Sequence, residues 1–189
     1  MLSANAIIIA AGVVMIGLVV LGRARGSSGA TILAWCALTG AVAWILALTL
    51  FPIPIDPGLW RFQRRFGDVT LVPFRTIRSQ LAFGLRDSEA RQLLGNVALF
   101  VPFGFLLPAA VRACRRPWAL LVAAAAFSVL IETLQAILPG HTTDIDDVIL
   151  NTAGAALGFL AFSVAAWVAG RRRTPEERTV REPAASSAG

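Results

Sequence analysis

Seven polar residues, Asn96, Glu132, Gln135, Asp144, Asp146, Asp147 and Asn151, lie in or beside stretches otherwise apolar enough for a membrane interior. A charged side chain such as Glu132, set in the run from Ser128 to Leu138, costs about 3 kcal/mol at the centre of a lipid-facing helix. These residues therefore face protein, water or a ligand. Carboxylates beside amides suit acid/base work, because a carboxyl in a low-dielectric site can exchange a proton near neutral pH. They also supply hard oxygen ligands of the kind that Mg²⁺ or Ca²⁺ accepts. Nothing in the set resembles a nucleophile with its base; Ser128 is a helix serine without one. Two cysteines and one histidine argue against zinc, and there is no haem signature.

The elements that must position these residues are membrane helices. The chain has 189 residues, 57% of them apolar, with a mean hydropathy of +0.72. That balance excludes a soluble domain and reads as an all-α polytopic membrane protein. Five apolar stretches approach the roughly 20 residues needed to cross a bilayer. They run from Ala4 to Leu21, Ala30 to Phe51, Gln92 to Val111, Trp118 to Leu138 and Val148 to Ala169. The first lacks a basic leader and a clear cleavage site, so it reads as a retained helix and not a signal peptide.

All 17 basic residues are Arg, and they sit in short flanks, so the net charge of +6 does not suggest nucleic-acid binding. Arg23 and Arg25, then Arg112, Arg115 and Arg116, then the Arg-rich tail from Arg171 mark the cytoplasmic side. This places the N-terminus outside, the C-terminus inside, and the acidic loop from Pro139 to Asp147 outside. The loop from Pro52 to Arg91 dissents with its seven Arg. It is expected to lie on the surface as interfacial helices, with Arg61 to Phe66 as one amphipathic piece. Residues 1–51 form two N-terminal helices, 52–170 the outer loop with three more, and 171–189 a disordered tail.

At 1.5 Å per helical residue, Asn96, Gln135 and Asn151 lie roughly 6–7 Å below the outer surface and Glu132 about 10 Å. Three helices thus carry polar side chains to one depth. Glu132 and Gln135 are three apart, and Asp147 and Asn151 four apart, so each pair shares a helix face. Thr143 can cap the last helix, with Asp146 at the capping-box position and both Asp146 and Asp147 near the positive end of its dipole. Pro102 should kink the third span about one turn below Asn96. Gly154 and Gly158 form a small-xxx-small pair that allows another helix close. His141, the sole histidine, falls in the outer loop and reads as a solvated residue with a weak pH-sensing option.

Three segments resemble the VanZ-like family. Asn96-x3-Phe100-x-Pro102-x-Gly104 is similar to its N-x3-F-x-P-x-G, and Ser128-x3-Glu132-x2-Gln135 to its S-x3-E-x2-Q. Asp144-x-Asp146-Asp147-x3-Asn151-Thr152-x-Gly154 is similar to its D-x-D-D-x3-N-T-x-G. A weaker likeness covers Val72 to Ile77, where the family commonly carries a Pro-Phe and Thr-Ile pair. Many relatives have an Arg after the Pro-Gly of the outer loop, where this chain has His141. The first helix and the tail look like additions to a four-helix unit.

The resemblance implies a multi-pass bacterial membrane protein, of a family named for reduced susceptibility to teicoplanin, and it implies no reaction. Two readings follow. In one, Glu132 and Asp147 act as catalytic or cation-binding groups on a membrane lipid or lipid-linked envelope molecule. Asn96, Gln135, His141, Asp144, Asp146 and Asn151 then bind and orient it. In the other, the polar residues only join helices. A transporter fits less well, because no second polar group appears toward the cytoplasmic side.

Overall fold

The computed structural model describes residues 4–50, 69–82, 87–136 and 143–171. Its order is α1 (Ala4–Ala24), α2 (Gly29–Leu50), β1 (Val69–Thr70), α3 (Arg75–Ala82), α4 (Asp87–Ala110), a 3-10 turn (Arg112–Arg115), α5 (Pro117–Ala136), β2 (Thr143–Asp144) and α6 (Ile145–Arg171). The five long helices are each apolar and long enough to cross a membrane, and the protein is an all-α multi-pass bundle. The two short strands pair in parallel, Val69 with Thr143 and Thr70 with Asp144. The expected amphipathic piece at Arg61 to Phe66, the loop at His141 and the tail beyond Arg171 lie outside the described residues.

The core sits between α2, α4, α5 and α6, where Ile45, Phe100, Leu120, Ala124, Ile131 and Ala155 are buried. Phe100, Phe103 and Phe127 pack ring to ring at 5.2–5.8 Å, a spacing that favours aromatic contact. α4 and α6 form the most extensive helix pair. The cause is steric. A Cβ on Gly154 would meet the carbonyl of Val97, one on Gly158 the carbonyl of Val101, and one on Gly104 the backbone of Ala155. In lipid, where apolar burial does not favour helix association, such backbone approach supplies the dispersion contact instead.

α4 continues through Pro102 and Pro108 as one helix. At its end the Pro108 carbonyl accepts a hydrogen bond from Arg115 Nε at 3.1 Å. Pro117 then opens α5, a position where its missing N–H goes unneeded. α1 packs chiefly on α2 and leaves much of its surface exposed, including Ile8, Ile9, Val13 and Ile16. That is what lipid contact demands of a peripheral membrane helix.

Candidate functional site

At one end of the bundle α6 begins, and its first turn organises the polar residues. Asp146 is 1% exposed. Its Oδ1 accepts the Phe74 N–H at 2.5 Å. Its Oδ2 accepts the N–H groups of Thr76 at 2.9 Å and Ile77 at 3.1 Å. These donors open α3, whose first N–H groups have no partner within the helix. A carboxylate at the positive end of that dipole satisfies them. Phe74 holds φ at 63°, a left-handed conformation that costs a non-glycine residue about 1–2 kcal/mol. The hydrogen bonds to Asp146 offset that strain.

Asp144, not Thr143, caps α6. Its Oδ1 accepts the Asp146 N–H at 3.0 Å, while its Oδ2 accepts the Thr76 hydroxyl. The capping-box expectation fails because Thr143 is drawn into the pairing with β1, and its hydroxyl donates instead to the Glu132 carbonyl at 3.4 Å. The Asp144 N–H in turn donates to Glu132 Oε2 at 3.1 Å. Glu132, Asp144 and Asp146 thus form a chain of acceptors, each taking at least one nearby N–H or O–H.

Two further bonds cross between helices. Asn96 on α4 donates to Asp147 Oδ1 on α6 at 2.5 Å. Asn151, 4% exposed, donates from Nδ2 to Ser128 Oγ on α5 at 2.9 Å. Its Oδ1 is buried without a partner among the described residues. Turning the amide over would pair Oδ1 with the serine and orphan the NH₂, so one end is unfilled either way.

The convergence expected for Asn96, Glu132, Asp144, Asp146, Asp147 and Asn151 is present, on α4, α5, β2 and α6. Gln135 departs from it. Its Nε2 donates to the Thr49 carbonyl at 3.0 Å and ties α5 to the end of α2. His141 is outside the described residues. Ser128 and Thr76 join the polar network although neither stands out by type. The signal for Thr76 was its place in the Pro-Phe and Thr-Ile pair.

Two carboxylates keep one oxygen each without a donor among the described residues. Glu132, 6% exposed, uses only Oε2, and half-buried Asp147 uses only Oδ1. Glu132 meets the Asp144 N–H, three residues before Asp147 at the start of α6. Among the described residues no set of three His, Cys, Asp or Glu gathers as metal ligands. The oxygens of Asp144 and Asp146 are filled by N–H and O–H groups, a donor set unlike the all-acceptor shell of Mg²⁺ or Ca²⁺.

Fold and site define a multi-pass membrane protein with a buried polar network at one end of its bundle. The VanZ/LLP1 family matches residues 36–166, more than half of the chain, and the chain belongs to that family. The match takes in every polar residue above and leaves α1 outside. No curated protein and no solved structure matches the chain.

Proposed function

We propose that the protein binds the headgroup of an envelope lipid or other amphiphile at the Glu132–Asp147 end, which faces the outer leaflet, and so lowers susceptibility to teicoplanin. One observation carries the reading. Glu132 reaches the start of α6 at the Asp144 N–H, three residues before Asp147, and each acid keeps an oxygen that no donor among the described residues fills. A buried carboxylate that is only half hydrogen-bonded is costly, and the group that would relieve it is a cation bearing hydrogen-bond donors. An amine-bearing headgroup has that chemistry, and a partly buried ammonium–carboxylate contact is stronger than a neutral hydrogen bond. Asn96 orients Asp147, and Asn151 offers its unfilled amide end one turn further along α6. The outward orientation rests on the Arg clusters, which favour the cytoplasmic side.

The alternative, that the polar residues only join helices, is favoured by specific bonds at Asp144, Asp146 and Gln135. Those residues are assigned here to the frame. It does not account for the oxygens of Glu132 and Asp147 that no donor among the described residues fills. The test compares teicoplanin susceptibility of a host carrying wild type, Glu132→Gln, Asp147→Asn or empty vector, with membrane levels of each measured. Wild type should protect, and the two variants, present at equal level, should not. Protection by both variants would return the network to a purely structural role. No protection by well-expressed wild type would remove the link to teicoplanin.

A further inference from the structure

A cleft opens between α1 and α2 near their connecting turn, far along the chain from the polar network. Its volume is about 310 Å³. Leu18, Ile32 and Trp35 form its apolar walls, and Arg25, Ser27 and Thr31 stand at its rim. The turn itself is fixed. Gly26 adopts φ 66°, Ser27 N–H donates to the Gly22 carbonyl at 2.8 Å, and Ser28 caps α2 through the Thr31 N–H at 3.3 Å. Arg25 is exposed, and its guanidinium has no partner among the described residues.

We infer that this cleft binds one anionic glycerophospholipid, its phosphate at Arg25 and part of an acyl chain between Leu18, Ile32 and Trp35. Three features support that occupant. On α1 the charged end of the cleft and its apolar wall are separated along the helix axis. Leu18 and Arg25 are seven residues apart, about 10 Å at the helical rise. This matches a headgroup above a chain and not a small polar solute. The cleft is also large for its polarity, since an apolar cavity of about half this volume stays dry and accepts an apolar guest.

The cleft is also narrow. At Gly22 the Ile32 side chain fills the space between the helices, so that a Cβ would sit 2.7 Å from its Cγ1. A third helix, about 10 Å wide with its side chains, cannot enter between them. An extended acyl chain can lie in the cleft beside that contact. Charge selects the lipid, because an Arg near a membrane surface favours an anionic headgroup, and its planar fork suits phosphate.

The cleft lies wholly before residue 36, where the VanZ/LLP1 match begins. It is a feature of this chain's added helix and stands apart from the Glu132–Asp147 reading, whichever way that is decided.

The experiment uses full-length protein in phosphatidylcholine vesicles containing either phosphatidylglycerol or further phosphatidylcholine with a dibrominated acyl chain. Bromine quenches nearby indole, and the Trp35 contribution is the difference between wild type and Trp35→Phe. We expect stronger quenching of Trp35 by the brominated anionic lipid, a preference of roughly fivefold, which is the worth of one Arg at a lipid surface. Arg25→Gln should abolish the preference. Arg23→Gln removes the same charge two residues away, outside the cleft, and should retain it. Equal quenching by both lipids in wild type would overturn the proposal. So would equal loss in the two Arg variants, or a preference that survives unchanged in Trp35→Phe.

Discussion

At the scale of single residues, an acid is defined here by what already fills its oxygens. Asp146 accepts three main-chain N–H groups from the start of α3. A hydrogen bond to a charged group contributes about 1.5–3 kcal/mol, so Asp146→Ala should destabilise the protein and free that segment. Hydrogen exchange at Phe74, Thr76 and Ile77 should accelerate by at least tenfold, whereas Glu132→Gln should leave it unchanged. Unchanged exchange in Asp146→Ala would show that α3 is held by other contacts. The Asn151–Ser128 bond is a smaller matter. A double-mutant cycle on Asn151→Leu and Ser128→Ala should give a coupling of about 0.6 kcal/mol, the usual value inside a membrane bundle. A coupling near zero would mean that Asn151 serves a ligand more than its neighbour.

At the scale of helices, the α4–α6 seam rests on three glycines set against opposing backbone. Gly158→Val should force the pair apart and cost about 1–3 kcal/mol, the usual range for overpacking. Exposed Gly170, with nothing within reach of a Cβ, should tolerate the same change. Equal unfolding curves in detergent for both variants would contradict the seam. The sequence made much of this level legible. Hydropathy located all five spans, and α6 starts at Ile145, only three residues before the expected point. Depth counting sets Asn96 level with Asn151, whereas Asn96 meets Asp147 one turn earlier on α6 and Asn151 meets Ser128, because counting from a helix end carries the error of where that end lies. The bond from Gln135 to Thr49 is not legible in the same way, because spacing fixes which face Gln135 shares with Glu132, not which neighbour that face meets. The α3 anchor was harder to see. Its donors are main-chain N–H groups some 70 positions from Asp146, and a backbone donor leaves no mark on residue type. The likeness at Val72 to Ile77 was the one visible trace.

At the scale of the whole molecule, topology can be tested by thiol labelling. Cys114 is buried in the 3-10 turn, and burial pushes its thiol up from the usual range. The thiolate is the reactive form, so labelling of Cys114 by a maleimide should be slow at neutral pH and rise only as the pH passes the ordinary thiol range. Against that low background, Gly140→Cys should react with an impermeant maleimide from outside intact cells, and Ser186→Cys only after lysis. The reverse pattern would invert the proposed orientation and move the Glu132–Asp147 end to the cytoplasm. The glycine seam carries a mechanical consequence. With backbone against backbone, α4 and α6 behave as one beam, and Asn96 and Asp147 ride on it together. Glu132 rides on α5, which meets that beam through side chains and a single strand. Any breathing of the bundle that admits a guest therefore parts Glu132 from Asp147 and leaves Asn96 in place, so the gap between those two carboxylates is the gauge on which occupancy would be read.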